Sequence, residues 1–425
     1  MLKTFAIFKN PLFTKLFFAN FSSQMGSVIG ITAFMFYLLD RFAQNPAYAT
    51  VSELMYTLPT LAVFFLVGVI ADRMDRQMIA KNCDWICFGL TLLLLGALKI
   101  GMISLIFAVL FLRSGVQKFF APAQSSILQG VLGKDDYTSA AGLNQMVQSL
   151  FMLVGNGLGV FFYWQLGIYG AIAVDALSFI ISGLLISFCR IPEKVRMPNG
   201  RHTLRDLDIK LVLNDFKQGM GYIWNFKLLL SLLSGFCIFG IVNGGFAVMP
   251  IFILKYKLEP VHYEEYSIIL GVIFGTGILI GSVAASSFAR KTKLMNCLIV
   301  GLVFSGAFVV LSSFAGETPW FLAAILGAAF FLPFCNIALG GWMPRIVDPK
   351  MMGRVQGWIT PLMMVSQSLM LGFISFAFPG FISIEGLYWI TGGSLMLVSL
   401  IYAYLLPKYA EDPQGGMKAA QNRAV

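Results

Sequence analysis

Charge is scarce in this 425-residue chain: only 12% of its residues are Asp, Glu, Lys or Arg, and histidine occurs twice. A soluble domain carries about a quarter charged residues, so an ordinary water-exposed surface is excluded. His202 and His262 lie far from the closely spaced Cys83 and Cys87, which gives no support to a metal site or cofactor. No His-Glu-x-x-His zinc signature, Gly-x-Ser-x-Gly nucleophile turn or phosphate-cradling P-loop occurs, so neither an intramembrane enzyme nor an ATP-driven pump is expected. The six cysteines all fall in or beside apolar stretches, where they read as packing residues rather than a disulfide framework. No polar stretch is long enough for a separate soluble domain.

What the chain has instead is apolar length. Hydrophobic residues make up 58% of it and its mean hydropathy is +0.80, the signature of a protein mostly buried in lipid. The first stretch, MLKTFAIFKNPLFTK, carries Lys3, Lys9 and Lys15 but leads into an apolar run that no small-residue cleavage pattern closes, so a retained span is expected rather than a signal peptide. A helix needs about 20 apolar residues to cross about 30 Å of hydrocarbon. Windows of that kind lie at 12–39, 50–71, 83–99, 103–128, 138–164, 168–189, 228–254, 264–289, 294–314, 320–343, 353–377 and 387–406. The expected fold is therefore an all-α, multi-pass membrane protein with twelve transmembrane helices.

On this assignment about 24 of the 30 Lys and Arg residues fall in the termini and the connections on one side, which places both termini in the cytoplasm; the expected location is the plasma (inner) membrane. The formal charge of +10 is accounted for by that bias, and nucleic-acid binding is not expected. Trp164, Trp320 and Trp389 fall near expected outer ends, and Trp85, Trp342 and Trp358 near inner ends, where amphipathic rings prefer the headgroup layer. Trp358 also has the chemistry for stacking on a substrate.

The longest polar connection sits at the midpoint and contains the turn-rich IPEKVRMPNGRH. It divides the chain into a six-helix bundle at 1–190, a linker at 191–227, a second bundle at 228–406 and a tail at 407–425. Within the linker Leu204, Leu207, Leu211, Met220, Ile223 and Trp224 recur at helical spacing among Arg205, Asp206, Lys210 and Lys217, which predicts a helix lying on the membrane surface.

The halves also match each other. A constant offset of 211 residues places Phe119, Phe120 and Pro122 on Phe330, Phe331 and Pro333, Leu128 and Gly130 on Leu339 and Gly341, and Gly142 and Gln145 on Gly353 and Gln356. Pro, Gly and Gln carry much of that match, so hydrophobic composition alone does not explain it. Two pseudo-symmetric halves related by an axis along the membrane normal are one architecture of secondary transporters, whose substrate site is expected at mid-membrane where the repeats meet.

Three motifs carry a resemblance. GVIADRMDRQ, from Gly68 to Gln77, puts an Asp-Arg-x-x-Arg cluster just where a span ends; RSGVQKFF contains Arg113 and Gln117; MGRVQG runs from Met352 to Gly357. The chain resembles the major facilitator superfamily along nearly its whole length, and most resembles its macrolide-efflux-type drug:proton antiporter branch. In the first motif Gly68, Asp72, Arg73 and Arg76 match, while Asp75 stands where the family has glycine. Arg113 matches the fourth-helix motif, and Gly353 and Arg354 fall in the counterpart connection of the second half. The fifth-helix antiporter motif departs: the chain has GNGLG at Gly155 to Gly159 without the family's proline, and its glycines suit close packing.

The resemblance implies a cytoplasmic latch in which Asp72, in a tight turn, faces the start of helix 11 with Arg354 and Arg76 nearby; an anion at a helix N-terminus gains about 0.3–1 kcal/mol when exposed and up to about 2 when partly buried. The bland reading is that these charges cap helix ends and set topology. Arg113 lies about ten residues into helix 4, about 15 Å deep, where a guanidinium is functional by default; it can bind an anionic substrate group or act on a neighbouring carboxylate. Lys118 can reach back toward the surface.

Of the carboxylates, Asp40, Asp84, Glu264, Glu265 and Glu385 lie close enough to expected span ends to be solvated. Glu53 and Asp175 sit several residues inside, where loss of water makes proton exchange feasible. Glu53 is the first choice for protonation; for Asp175 a structural hydrogen bond is the competing reading. Neutral polar residues inside the spans, including Gln24, Asn144, Gln148, Asn243 and Gln356, together with 21 Met and 40 Phe, suit an adaptable apolar lining.

The expected function is export of hydrophobic or amphiphilic compounds by proton antiport with rocking alternating access. The expected partners are a small amphiphilic substrate, protons and lipids, and the chain is expected to be a monomer. Siderophore or lysolipid export is the alternative within the fold, and a non-transporting membrane receptor or scaffold is the alternative outside it.

Overall fold

The computed structural model describes residues 6–132, 137–197, 209–347 and 351–410, and among them the chain is helical without a strand. Contacts divide it into two compact units, Met1–Asp208 and Ile209–Val425.

The first unit is built from α1 (Pro11–Arg41), α2 (Ala47–Arg73), α3 (Arg76–Ile100), α4 (Ile103–Gln117), α5 (Phe120–Val131) and α6 (Tyr137–Ser187). Local chemistry sets several ends. Asn10 caps α1 by accepting from the amides of Leu12 (3.0 Å) and Phe13 (3.2 Å), with Pro11 at the first position where no amide partner is needed. Asp75 caps α3 in the same way, through Gln77 and Met78. Gly101 closes α3 at φ 78°, a left-handed conformation open to glycine without a Cβ penalty. Gly167, at φ 64° and ψ −177°, breaks α6 into residues 137–166 and 168–187.

The second unit contains α7 (Ile209–Asn225), α8 (Lys227–Ile253), α9 (Tyr263–Lys291), α10 (Leu294–Ser313), α11 (Thr318–Ile346), α12 (Met352–Ala377) and α13 (Ile384–Ala410). A short π-helical turn, Leu254–Leu258, extends α8. Helix α7 is the expected amphipathic segment; Leu204 and Leu207 lie outside the described residues. Its Tyr222 and Ile223, with Phe226, enter the core of this unit while Trp224 stays exposed.

All twelve expected windows lie on helix, with two differences of boundary. The span expected at 103–128 is two helices, α4 and α5, meeting at Lys118 and Phe119 just before Pro122; its repeat counterpart around Pro333 runs unbroken in α11. The span expected at 83–99 starts at Arg76, because the polar RQMIAKN that opens it is already helical. Among the described residues, ten segments are long and apolar enough to cross a membrane.

Lipid tails are as apolar as leucine, so helices in a bilayer associate through close packing more than through water exclusion. Small residues serve that purpose. A Cβ on Gly155 would meet Val28 Cγ1 at 2.7 Å, and one on Gly159 would collide with Thr32, so the GNGLG run is the surface on which α6 lies against α1. In the second unit Gly281 of α9 meets the backbone of Phe330 on α11, and Tyr402 of α13 donates to the Leu232 carbonyl of α8 at 2.8 Å. Ile100, Phe376, Leu400 and Tyr404 are exposed, as residues facing acyl chains are.

Candidate functional site

The charged centre of the first unit is an ion pair between Arg113 on α4 and Asp175 on the second part of α6. Both side chains are buried, exposed by 1% and 0%. The guanidinium Nη1 also donates to Thr91 Oγ1 of α3 at 3.4 Å, and its carbon lies 5.5 Å from the Phe179 ring centroid, one turn beyond Asp175. Gly30 of α1 makes room: a Cβ there would sit 2.7 Å from Asp175 Oδ2. Four helices, α1, α3, α4 and α6, thus enclose two charges that the sequence places 62 residues apart.

The pair is incompletely satisfied. Arg113 Nε and Nη2 and Asp175 Oδ1 are buried without a hydrogen-bond partner. Buried charge without full pairing is costly, and such groups cluster where a protein does something with them. Arginine does not release its proton in proteins, so any change of charge state within the pair falls to Asp175. Helix α2 borders the pair as well: Ser114, next to Arg113, donates to the Tyr56 carbonyl at 2.8 Å. Glu53 is half-buried one turn from Tyr56, and its backbone carbonyl accepts from Thr57 at 2.9 Å. Gln117, one turn beyond Arg113, donates to Ser27 of α1 at 2.7 Å.

A second polar cluster was not legible. Asp84, expected to be solvated, is buried at 1% exposure, and its two oxygens accept from Ser23 of α1 at 3.2 Å and Ser182 of α6 at 2.6 Å. The correction follows from the earlier start of α3, which puts Asp84 more than two turns inside the helix. Three of the four remaining span-end carboxylates fit the expectation better: Asp40 accepts from Tyr163 at 3.0 Å, Glu385 pairs with Lys257 at 2.8 Å, and Glu265 faces His262 at 3.5 Å, all at exposed or half-buried positions.

At the GVIADRMDRQ segment α2 continues through Asp72 and Arg73, so the turn consists of Met74 and Asp75 rather than of Asp72 to Arg76. The surroundings of Gly68 and the side chains of Asp72 and Arg73 lie outside the described residues. Asp75 pairs with Arg196, in the one-turn helix Glu193–Arg196 that follows α6. Partial burial acts to raise the Asp75 carboxyl, but hydrogen bonds from Arg196 and from the Met78 and Gln77 amides outweigh it and hold the group below its ordinary 3.8. Arg76 donates to the carbonyls of Ser126 (3.5 Å) and Val195 (3.4 Å), and Gln77 to those of Ile186 (2.9 Å) and Cys189 (2.7 Å). The motif's second half therefore clamps the start of α3 to α5 and to the end of α6.

Gln24 donates to Asn20 at 2.7 Å and lines a cavity of about 170 Å³ with Gln124, Ser125 and Val147. Asn243 is exposed on α8. The side chains of Asn144, Gln148, Arg354 and Gln356 and the surroundings of Gly353 lie outside the described residues.

Comparison with known proteins gives these features a context. The model of the Major Facilitator Superfamily matches residues 16–371. The chain is 48% identical over 409 residues to the uncharacterized MFS-type transporter YkuC of Bacillus subtilis (strain 168), covering 95% of this chain and 94% of that protein. It is 23% identical to macrolide efflux protein A of Streptococcus pyogenes, over 89% of this chain and 92% of that one. Among solved structures, a POT family transporter in complex with 5-aminolevulinic acid superposes with a TM-score of 0.74 at 13% identity, covering 93% and 96% of the two chains.

Proposed function

This chain belongs to the major facilitator superfamily, as a multi-pass membrane transporter and not an enzyme, and from that premise we propose that it exports hydrophobic or amphiphilic compounds of the macrolide type in exchange for protons. The observation that carries the coupling is the buried Arg113–Asp175 pair with its unpartnered atoms. When a proton binds, an O–H bond forms on Asp175, the ion pair dissolves, and Arg113 is left as a lone buried cation that must find another partner or another arrangement of helices. A change of that size, about 3–5 kcal/mol for breaking a buried pair, is large enough to bias alternating access. Glu53, on the helix that borders the pair, is the residue through which a proton approaches Asp175.

The substrate class draws on two supports: the Met- and Phe-rich composition, and the similarity to macrolide efflux protein A over most of both chains. The pair itself argues against an anionic solute at Arg113, because Asp175 already neutralises that charge. This weakens the case for a siderophore. In this reading the chain works as a monomer in the plasma membrane with cytoplasmic termini, and Gln24, Asn144, Gln148, Asn243 and Gln356 contribute polar contacts to the solute.

The test uses purified protein reconstituted in vesicles loaded with a labelled macrolide. An acid-outside gradient is expected to accelerate solute exit with matching acidification of the lumen, and Asp175→Asn is expected to abolish the acceleration. Solute exit that ignores the gradient would refute proton antiport, and no exit of any amphiphile tried would refute the substrate class.

A further inference from the structure

The Asp84 cluster lies outside the pair on which the proposed coupling rests. Asp84 sits in α3, Ser23 in α1 and Ser182 in α6, and each serine hydroxyl reaches a different carboxyl oxygen, at 3.2 Å and 2.6 Å. A carboxylate inside a bundle in lipid is expected to pair with a cation or to be neutral. Among the described residues Asp84 has no cation against it. Helices α1 between Lys15 and Asp40 and α5 throughout contribute no charged residue; α4 contributes only Arg113, and α6 only Asp175. On α3 itself the neighbours are Lys81, Cys83 and Cys87. Cys87, one turn from Asp84, has its thiol 3.8 Å from the Arg113 carbonyl.

Two aspartates and one arginine therefore share the interior of α1, α3, α4 and α6. With Asp175 paired to Arg113, the set is neutral only if Asp84 carries a proton. The serines suit both states, since a hydroxyl donates to a carboxylate and can turn to accept from a carboxylic acid.

We infer that Asp84 is a second proton-binding carboxyl of this transporter, seated between Ser23 and Ser182 and protonated while Arg113 and Asp175 are paired. Proton uptake forms one O–H bond on Asp84 and reorients a serine hydroxyl; no other bond changes. The inference extends the proton-antiport reading, but it is tested on isolated protein with no solute, so the two fail separately.

The experiment is pH-difference infrared spectroscopy of the full chain in lipid bilayers, in potassium buffer. The expected result is a protonated-carboxyl C=O stretch that shifts in D2O, disappears on alkaline titration, is missing in Asp84→Asn, persists in Glu53→Gln, and is lost at lower pH in Asp175→Asn, where Arg113 no longer has its own carboxylate. Where Asp84→Asn does not accumulate, Ser182→Ala serves: losing the shorter hydrogen bond moves the band to higher frequency. A band that survives Asp84→Asn, an unchanged frequency in Ser182→Ala, or no titrating acid band in the wild type would overturn the assignment. Loss of the band when sodium replaces potassium at fixed pH would also overturn it, making the triad a cation site.

Discussion

Removing one member of the Arg113–Asp175 pair separates what the pair does for stability from what it does for transport. Asp175→Asn keeps the side chain's size and an acceptor but strands the guanidinium, which already has two nitrogens without partners. Arg113→Gln strands the carboxylate in the same way. Each single substitution is expected to cost about 3–5 kcal/mol, because an uncompensated charge stays buried. The double variant Arg113→Gln, Asp175→Asn leaves no charge and two amides that can both donate and accept, so it is expected to lie within about 1–2 kcal/mol of wild type. The coupling energy is then about 4 kcal/mol or more, far from additive. Equilibrium unfolding in mixed detergent micelles, followed by circular dichroism, reads all three. The double variant should fold well and yet show no response to a pH gradient. Additive losses in the two singles, or a double variant as unstable as their sum, would refute the electrostatic account; a folded double variant with wild-type gradient response would refute the coupling role.

Asp75→Ala removes both a helix cap and the partner of Arg196, with an expected cost of about 0.5–2 kcal/mol at neutral pH. Because the folded-state carboxyl is held below its ordinary 3.8, this contribution is present above about pH 4 and lost as pH falls through the lower folded value, so the difference from wild type should vanish on acidification; a difference constant down to pH 3 would contradict it. Gly281→Ala places a methyl against the backbone of Phe330 and is expected to destabilise by about 1–3 kcal/mol, whereas Gly393→Ala, with open space around it, should be near neutral in the same unfolding assay; equal effects would contradict the packing argument. Asp72→Asn, on the motif's match to the family, is expected to slow transport while leaving the amount of protein in the membrane unchanged, and normal transport rates in vesicles would count against the latch.

Periodicity and length made the helices legible, because twenty apolar residues have few other uses. The boundaries were less so. The polar opening of α3 reads as a loop in sequence, since Arg76, Lys81 and Asn82 interrupt the apolar window, yet Asp75 caps a helix there. That seven-residue displacement hid Asp84. Nor does a one-dimensional window show that Lys118 and Phe119 divide a helix ahead of Pro122 while the matching segment near Pro333 continues. At the site, Arg113 and Asp175 each stood out as charges in apolar runs, but their contact depends on how α4 meets α6, which is a matter of packing that single-chain spacing does not encode. Gly30, Thr91 and Phe179, which shape the pair's surroundings, carry no sequence signal beyond being ordinary residues of apolar helices. The role of Asp75 was visible only as a departure from the family's glycine; its meaning came from Arg196, beyond the end of α6.

The most direct test of the central claim is simultaneous recording of lumenal pH and labelled-macrolide exit from vesicles carrying either the wild type or the Arg113→Gln, Asp175→Asn double variant under an acid-outside gradient. The account predicts matched solute exit and lumenal acidification for the wild type and neither for the folded double variant. Equal fluxes from both proteins would contradict it.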